Sequence, residues 1–354
     1  MNPDDPINRP PNLLSRRSFL LAAVATSASG FGVPATFGSD KSGSKAPVVG
    51  AGEHRYEVIH DWGTLPDSHV YGNTHGVCQD AQRRVYIKHT VGTGARCEDA
   101  VVVFDERGRF MRSWGPEFKG GAHGLQLHRE GGTEYLYLCD TRRRFAVKTT
   151  LEGEEVLRFP FPGGDGLYAR ENEYCPTNVA IAPDGTVFVA DGYGKSYVHR
   201  YTAGGQYLDS FAGAGKEPGC TSCPHGLLVD CRGPEPVLVV ADRGNRRLQY
   251  FSLDGKHLRF VTEELRAPCH FDQRGSVLLV PDLESRVTLL DANNQLITHL
   301  GDGGHYRGLR DQSRDRFKPG QFVAPHGAIF DRDGNIFVVE WVEVGRVTKL
   351  RKLS

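Results

Sequence analysis

The chain has 354 residues, 39% of them hydrophobic, and its 43 basic residues balance its 43 acidic ones. Balanced charge provides no overall field to attract nucleic acid or an anionic membrane, so we expect no nucleic-acid partner, and any other partner must be argued from a site. The 43 glycines and 20 prolines suit many short strands joined by tight turns.

The N-terminal segment is predicted to be an export signal. Its Arg16-Arg17 pair directly precedes an apolar run from Phe19 to Ala28, which is too short for a stable transmembrane anchor. Residues 1–35 therefore read as a twin-arginine signal peptide, with an uncleaved membrane anchor as the alternative. The mature protein would be periplasmic or secreted, with no membrane span. Residues 36–52, rich in Gly, Ser and Lys, are predicted to be a flexible linker.

A strand-like alternation runs from Tyr56 to Trp62, and its Trp-Gly ending recurs at Trp114-Gly115. The period of two predicts a strand in each place. We expect both to be outer strands of their sheets.

A short phrase recurs along the rest of the chain. Copies centred on His75, His123, His225 and His326 read His-Gly before an apolar strand, one copy has Thr177 at the histidine position, and a shortened copy begins at Pro268. Six copies about 45 to 55 residues apart are typical of four-stranded propeller blades. The sequence therefore predicts an all-β, six-bladed β-propeller over residues 53–354. The last copy has only three strands of its own, so the N-terminal strand would complete that blade and close the ring.

Each copy is followed by a turn and an apolar second strand. Most of these strands end in an acid, namely Asp140, Asp191, Asp242, Asp282 and Glu340. Two connections, residues 160–174 and 302–322, are too long for tight links between blades. They are either functional loops or Gly-rich flexible segments.

The four histidines are the first candidate site. Inner strands of a propeller surround a central channel, so equivalent positions at their starts converge on the axis. Neutral imidazole is the commonest protein metal ligand, and zinc accepts three histidines while leaving a position open. We predict a bound zinc, or another divalent transition metal, on His123, His225 and His326, with His75 nearby. The alternative is that these histidines bind channel waters.

The eight cysteines are compatible with disulfides after export, but their spacing does not dictate pairs. Cys220 and Cys223 are the only close couple, and we expect either a local disulfide or two free thiols there. Cys78, Cys139, Cys231 and Cys269 lie in strand-like runs, where they would pack as small apolar groups.

The repeat frame resembles that of NHL-repeat propellers, and within them the peptidyl-α-hydroxyglycine α-amidating lyases. The phrases around His123, His225 and His326 look like those that carry the zinc histidines of that family. Asp191-Gly192-Tyr193-Gly194-Lys195-Ser196 is similar to the phrase that holds its catalytic tyrosine, and Ala241-Asp242-Arg243-Gly244-Asn245 to the phrase with its active-site arginine. The resemblance implies Tyr193 as the base and Arg243 as the carboxylate anchor.

The sequence also departs from the family pattern at three points. Gly327 stands where the lyases have a calcium-binding aspartate, so the resemblance does not support a calcium site. His89 stands where they have an arginine at the end of the first blade's second strand, and it is a possible additional metal ligand. His75 is an extra histidine at the metal position.

Three functions remain open from the sequence. The first is an exported, metal-dependent lyase-like enzyme acting on a small or peptidyl, hydroxylated substrate that bears a carboxylate. The second is a non-catalytic propeller that binds a protein or glycan. The third is a metal-dependent hydrolase of the lactonase kind, which usually holds calcium on acidic residues. A monomer is expected in each case.

Overall fold

The computed structural model describes residues 46–163, 166–304 and 306–353. The predicted signal peptide and most of the predicted linker, including Arg16 and Arg17, lie outside these residues. Within them, no helix is long and apolar enough to cross a membrane.

Six antiparallel sheets form the ring, which confirms the six-bladed β-propeller. Each of the first five blades contains four consecutive strands. Blade 1 contains β3 (Thr74–Gln79), β4 (Val85–His89), β5 (Val101–Phe104) and β6 (Phe110–Trp114); blade 2 contains β7 (Ala122–Glu130), β8 (Thr133–Asp140), β9 (Phe145–Thr149) and β10 (Glu155–Phe159); blade 3 contains β11 (Asn178–Ile181), β12 (Val187–Ala190), β13 (Tyr197–Tyr201) and β14 (Tyr207–Ala212); blade 4 contains β15 (Pro224–Asp230), β16 (Val237–Asp242), β17 (Arg247–Phe251) and β18 (His257–Val261); blade 5 contains β19 (Asp272–Arg274), β20 (Val277–Asp282), β21 (Arg286–Leu290) and β22 (Leu296–Leu300).

The sixth blade closes the ring with strands from both ends of the chain. It contains β23 (Pro325–Phe330), β24 (Ile336–Glu340), β25 (Arg346–Lys352), β2 (His54–Ile59) and β1 (Val48–Ala51). Pairing of β2 with β25 confirms the predicted closure, although the strand ends before Trp62. Strand β1 was not expected, because it falls inside the segment interpreted as a linker. It pairs with β2 and buries Val49.

The core is a series of apolar layers between neighbouring blades. Both faces of a blade are covered, so a middle strand can be apolar without alternation, as in β5, where every residue of Val101–Phe104 is fully buried. Five short 3-10 helices occupy connections in the described residues: Pro116–Phe118, Glu171–Glu173, Arg243–Asn245, Tyr306–Leu309 and Arg314–Arg316.

Four of the five acids that end the second strands, namely Asp191, Asp242, Asp282 and Glu340, hold the chain where it enters the inner strand of the same blade. Asp191 accepts a hydrogen bond from the backbone N–H of Cys175 at 2.6 Å, and Glu340 accepts one from that of Val323 at 2.7 Å. These bonds satisfy backbone donors that the ladder leaves unpaired. They position the residues that follow, which lie at the channel mouth.

All eight cysteines are free thiols, Cys220 and Cys223 included. Cys231 is exposed, whereas Cys78, Cys139 and Cys269 are buried among apolar neighbours. The alternative of two free thiols at Cys220 and Cys223 therefore describes this structure. Cys231 does not pack as a small apolar group.

Candidate functional site

The four predicted histidines meet at the propeller axis. Each is the second residue of its inner strand, and the rings of neighbouring members lie with centroids 4.4 to 5.0 Å apart. In all four strands the register shifts at the histidine, as in a β-bulge. In blade 3, where Thr177 takes the place of histidine, strand β11 begins only at the next residue, Asn178, and pairs without a shift. A bulge re-aims a side chain, so the His-Gly phrase and the inward histidine belong together.

Three of the four imidazoles are oriented by the next blade. The Nδ1 atom of His123 lies 2.7 Å from the carbonyl oxygen of Thr177, and the Nδ1 atom of His225 lies 2.9 Å from that of Cys269. The Nδ1 atom of His326 lies 2.9 Å from the carbonyl oxygen of His75. A carbonyl oxygen only accepts, so each Nδ1 carries the proton and each Nε2 presents its lone pair. This is the outer support typical of metal-ligating histidines.

These three histidines come from alternate blades, 2, 4 and 6, and form a nearly threefold set. Their ring centroids are 4.7 Å apart for His123 and His225, 4.7 Å for His225 and His326, and 4.8 Å for His123 and His326. Blades 1, 3 and 5 supply the accepting carbonyls. The repeat therefore alternates between a blade that offers an imidazole and a blade that orients one.

The glycine after each of these histidines is required by the same carbonyl group. A Cβ atom on Gly124, Gly226 or Gly327 would lie 2.5, 2.4 or 2.7 Å from the carbonyl oxygens of Thr177, Cys269 and His75 respectively. Such contacts are too close for any side chain. An aspartate at position 327 would meet this carbonyl.

His75 is the fourth imidazole, and its role differs from that of the other three. Its Nδ1 atom lies 3.3 Å from the Nε2 atom of His326, so it donates to that lone pair. By ligand-atom spacing alone, His75, His123 and His326 also form a candidate group, with ligand atoms within 4.8 Å of one another. We favour His123, His225 and His326 because each has its Nδ1 atom held on a carbonyl, whereas His75 has its Nδ1 atom on another imidazole.

The electrostatics keep these imidazoles neutral. Burial, the largest cause, lowers the pKa of His123 to about 3, and the Arg243 and Lys88 charges lower it further against the raising effect of its bond to Thr177. Burial likewise holds the pKa values of His225 and His326 well below their usual range. Neutral imidazole is the metal-binding form.

The donors surround a cavity of about 10 Å³, which is roughly the space of one water-sized sphere. A single ion fits there and a substrate does not. Three neutral imidazole nitrogens suit zinc, iron, copper or nickel, whereas calcium requires oxygen ligands. The residues therefore fit a divalent transition metal.

Tyr193 lies over this set at the mouth. Its hydroxyl oxygen is 3.0 Å from the Nε2 atom of His225 and 3.3 Å from that of His123. The turn that carries it follows β12 and is held by Asp191, which accepts from the backbone N–H of Lys195 at 2.6 Å. A Cβ atom on Gly194 would lie 2.0 Å from the Asp191 carboxylate, so this tight turn depends on glycine.

Arg243 reaches the same point from the next blade. Its Nη2 atom lies 3.4 Å from the Tyr193 hydroxyl oxygen and 3.2 Å from the sulfur of Cys223. The residue is only 3% exposed. Asp242, considered above only as a strand-ending acid, forms its ion pair with Arg247 at 2.6 Å. The guanidinium of Arg243 is therefore directed at the mouth and away from the neighbouring carboxylate.

His89 lies elsewhere. Its ring packs edge-on against Tyr71 with centroids 4.9 Å apart, and its Nδ1 atom accepts from the backbone N–H of Val91 at 3.1 Å. It is not among the residues that line the axial cavity. A ligand role for His89 would need a rearrangement, and we do not include it in the candidate metal set.

Sequence reasoning missed two groups around the site. Thr177 and Cys269 act through their carbonyl oxygens, which no side-chain motif reveals, although Thr177 was visible as a substitution in the repeat frame. Lys88 is fully buried, donates to the carbonyl oxygens of Cys139 at 2.7 Å and Gly124 at 3.2 Å, and has its pKa lowered to about 8 by burial. It places a cation behind the histidines.

No protein-family model matches the chain. The chain is 27% identical over 266 residues to the mouse (Mus musculus) protein named peptidyl-glycine alpha-amidating monooxygenase, a match covering 70% of this chain and 25% of that protein. It is 26% identical over 263 residues to peptidyl-alpha-hydroxyglycine alpha-amidating lyase 1 of Drosophila melanogaster, covering 66% of this chain and 45% of that protein. The match thus spans less than half of either relative.

A solved structure of a streptogramin B lyase matches 84% of this chain and 97% of its own, with a TM-score of 0.54 and 14% sequence identity. At that identity the likeness shows the propeller fold alone. The two curated relatives are named as amidating enzymes, and this chain is similar to part of each.

Proposed function

We propose that this protein is a metal-dependent carbon–nitrogen lyase that acts on a small or peptidyl substrate bearing a hydroxyl and a carboxylate on one carbon, as in a peptidyl-α-hydroxyglycine. The observation that supports it is the meeting of four groups from three blades. The Tyr193 hydroxyl oxygen lies within 3.4 Å of the Nε2 atoms of His225 and His123 and of the Nη2 atom of Arg243.

The residues have separate roles in this proposal. His123, His225 and His326 would hold zinc or another divalent transition metal, with His75 beside them. When bound, such an ion polarises a substrate hydroxyl and makes its proton more acidic. The buried guanidinium of Arg243 would bind the substrate carboxylate with two parallel hydrogen bonds.

Tyr193 would accept the hydroxyl proton. The Nη2 atom of Arg243 lies 3.4 Å from the Tyr193 hydroxyl oxygen and would donate to that oxygen as Tyr193 acts as the base. Loss of that proton with cleavage of the carbon–nitrogen bond gives glyoxylate and a peptide amide, whose nitrogen takes up one proton. Atoms and charge balance without any further reactant.

Glyoxylate release from a peptidyl-α-hydroxyglycine by the metal-loaded protein tests the reaction. Tyr193→Phe should keep its metal and its fold and lose turnover by about two to four orders of magnitude, the usual effect of removing a general base. Arg243→Ala should mainly raise KM for a carboxylate substrate. A folded, metal-loaded protein that releases no glyoxylate would remove this activity and leave a different metal-assisted reaction or a binding propeller.

Export is a separate part of the proposal. Residues 1–35, which lie outside the described residues, would direct the chain through the twin-arginine pathway to the periplasm or the exterior. Replacing both Arg16 and Arg17 by lysine should leave the protein in the cytoplasm of a host that has this pathway. Unchanged export of that variant would contradict the assignment.

A further inference from the structure

A second group of metal-ligating side chains lies at the outer rim of blade 1, away from the axis. His69, Cys97 and Asp99 each offer one donor atom, and these atoms lie within 4.8 Å of one another. The hydroxyl of Ser113, on the outermost strand β6, stands among them. Its oxygen is 2.9 Å from the Nε2 atom of His69 and donates to Asp99 at 2.5 Å, while the Cys97 sulfur lies 3.9 Å away.

Contacts of Ser68 and Phe110 hold two of the three donors, Cys97 and His69, in place. The carbonyl oxygen of Ser68 accepts from the N–H groups of both Arg96 and Cys97 at 2.9 Å, which joins two loop segments that are distant in sequence. The Ser68 hydroxyl lies 3.0 Å from the Nδ1 atom of His69. The imidazole also packs against Phe110 with ring centroids 5.0 Å apart. The donors are therefore already positioned before any ligand arrives.

We propose that His69, Cys97 and Asp99 form a second divalent-metal site, selective for a thiophilic ion such as zinc. Imidazole, thiolate and carboxylate are the three protein ligands that zinc accepts, and a thiolate distinguishes this site from the all-imidazole set at the axis. All three side chains are partly exposed, so an ion can enter and a water can complete the coordination.

Binding requires two changes of proton position. The Cys97 thiol releases one proton to solvent as it becomes a thiolate. The His69 proton moves from Nε2 to Nδ1, where the Ser68 hydroxyl oxygen can accept it, so that Nε2 offers its lone pair to the ion. Ser68 is thus a positioning residue for His69, in the same relation as the carbonyl acceptors of the axial histidines.

The site lies on the face of the ring that carries Tyr193. The loop with Cys97 and Asp99 follows β4, the second strand of blade 1, as the Tyr193 turn follows β12, the second strand of blade 3. An ion would join this loop to the segment before β3, and Asp99 is in turn bonded to Ser113 of the outermost strand β6. Tyr71, in that segment, packs on His89 at the end of β4, so the ion would brace the blade 1 side of the mouth.

Cobalt(II) titration of the metal-stripped full chain under reducing conditions tests the proposal. We expect two equivalents to bind and a thiolate-to-cobalt charge-transfer band in the near ultraviolet, which an all-imidazole site does not produce. Cys97→Ser should abolish the band and reduce binding to one equivalent. Cys231→Ser, which removes an exposed thiol outside the cluster, should bind like the wild type. Ser68→Ala should weaken this site about tenfold while keeping the band.

The two metal sites are distinguished by His225→Ala, which should lose the axial equivalent and keep the charge-transfer band. That pattern would hold whether or not the protein is a lyase, so failure of one proposal leaves the other intact. Wild-type protein that binds cobalt without the band, or Cys97→Ser protein that retains it, would overturn the rim site. Melting curves of each variant confirm that a lost equivalent does not reflect unfolding.

Discussion

Replacing Gly226 by alanine tests how blade 5 orients His225. The new Cβ atom would lie 2.4 Å from the carbonyl oxygen of Cys269, which is the acceptor for the Nδ1 atom of His225. The other nearby atoms also belong to backbone, so none can turn away as a side chain would. Either the carbonyl moves and the imidazole loses its acceptor, or the bulge in β15 changes shape.

The expected change in the free energy of unfolding follows from these two effects. Overpacking a tight site costs about 1–3 kcal/mol, and leaving a buried donor without its partner costs about 1–3 kcal/mol. Alanine restricts the unfolded chain and returns about 0.4–1 kcal/mol. We therefore expect a net loss of about 1–5.6 kcal/mol in the free energy of unfolding. Loss of the orienting carbonyl should also weaken metal binding at the axis by about 10 to 100-fold.

The assay is chemical denaturation of the metal-free protein together with a metal titration by calorimetry. Gly233→Ala is the matched control, because this exposed glycine of the same blade has its nearest atom 3.8 Å from the added Cβ. The control should be as stable as the wild type or slightly more so. If Gly226→Ala matches Gly233→Ala in both stability and metal affinity, the reasoning about the carbonyl contact is wrong.

Three further outcomes are expected. His225→Ala should remove the axial metal, whereas His75→Ala should retain it with weakened affinity. Metal analysis of the two variants by mass spectrometry tests this. Loss of the metal in His75→Ala and its retention in His225→Ala would select His75, His123 and His326 as the ligands. Protein lacking residues 1–52 should have a lower melting temperature but remain a folded propeller. Protein lacking residues 1–63 should not fold, because β2 is lost and β25 becomes an open edge. Equal stability of the two truncated proteins would contradict closure of the ring by β2. Burial lowers the pKa of His199 to about 3, so the contribution of this neutral imidazole to stability is complete above the unfolded pKa of about 6.5. The contribution is lost as pH falls towards 3, with about 2 kcal/mol lost by pH 5. Denaturation of the metal-free protein across this range tests this share, because His199→Gln should lose about 2 kcal/mol less than the wild type between pH 7 and pH 5.

The repeat carried most of the fold information. A phrase of about ten residues, present six times, was enough to predict six blades, the second strands and the convergence of His75, His123, His225 and His326, because a closed ring of equivalent units places equivalent residues around one axis. The three-stranded last copy predicted closure by the N-terminal strand. Strand β1 escaped prediction, since Val48–Ala51 is too short and too rich in small residues to show a period.

The differences among equivalent positions were decided only by the tertiary structure. The sequence presents four His-Gly phrases alike, yet blades 2, 4 and 6 turn their Nδ1 atoms to carbonyls of the next blade, whereas His75 turns to His326. A backbone carbonyl has no side-chain signature, so its partner is known only once neighbouring blades are packed. Only the tertiary structure likewise shows that Asp242 pairs with Arg247, which leaves Arg243 directed at Tyr193.

The rim cluster shows most clearly what the sequence alone does not reveal. His69, Cys97 and Asp99 belong to non-repeated loops, and nothing in their spacing of up to 30 residues marks them as neighbours. They meet because Ser68 binds two backbone N–H groups of the later segment. Repeated strands carry their geometry in their periodicity, whereas these loops acquire theirs from hydrogen bonds between segments that are distant in sequence.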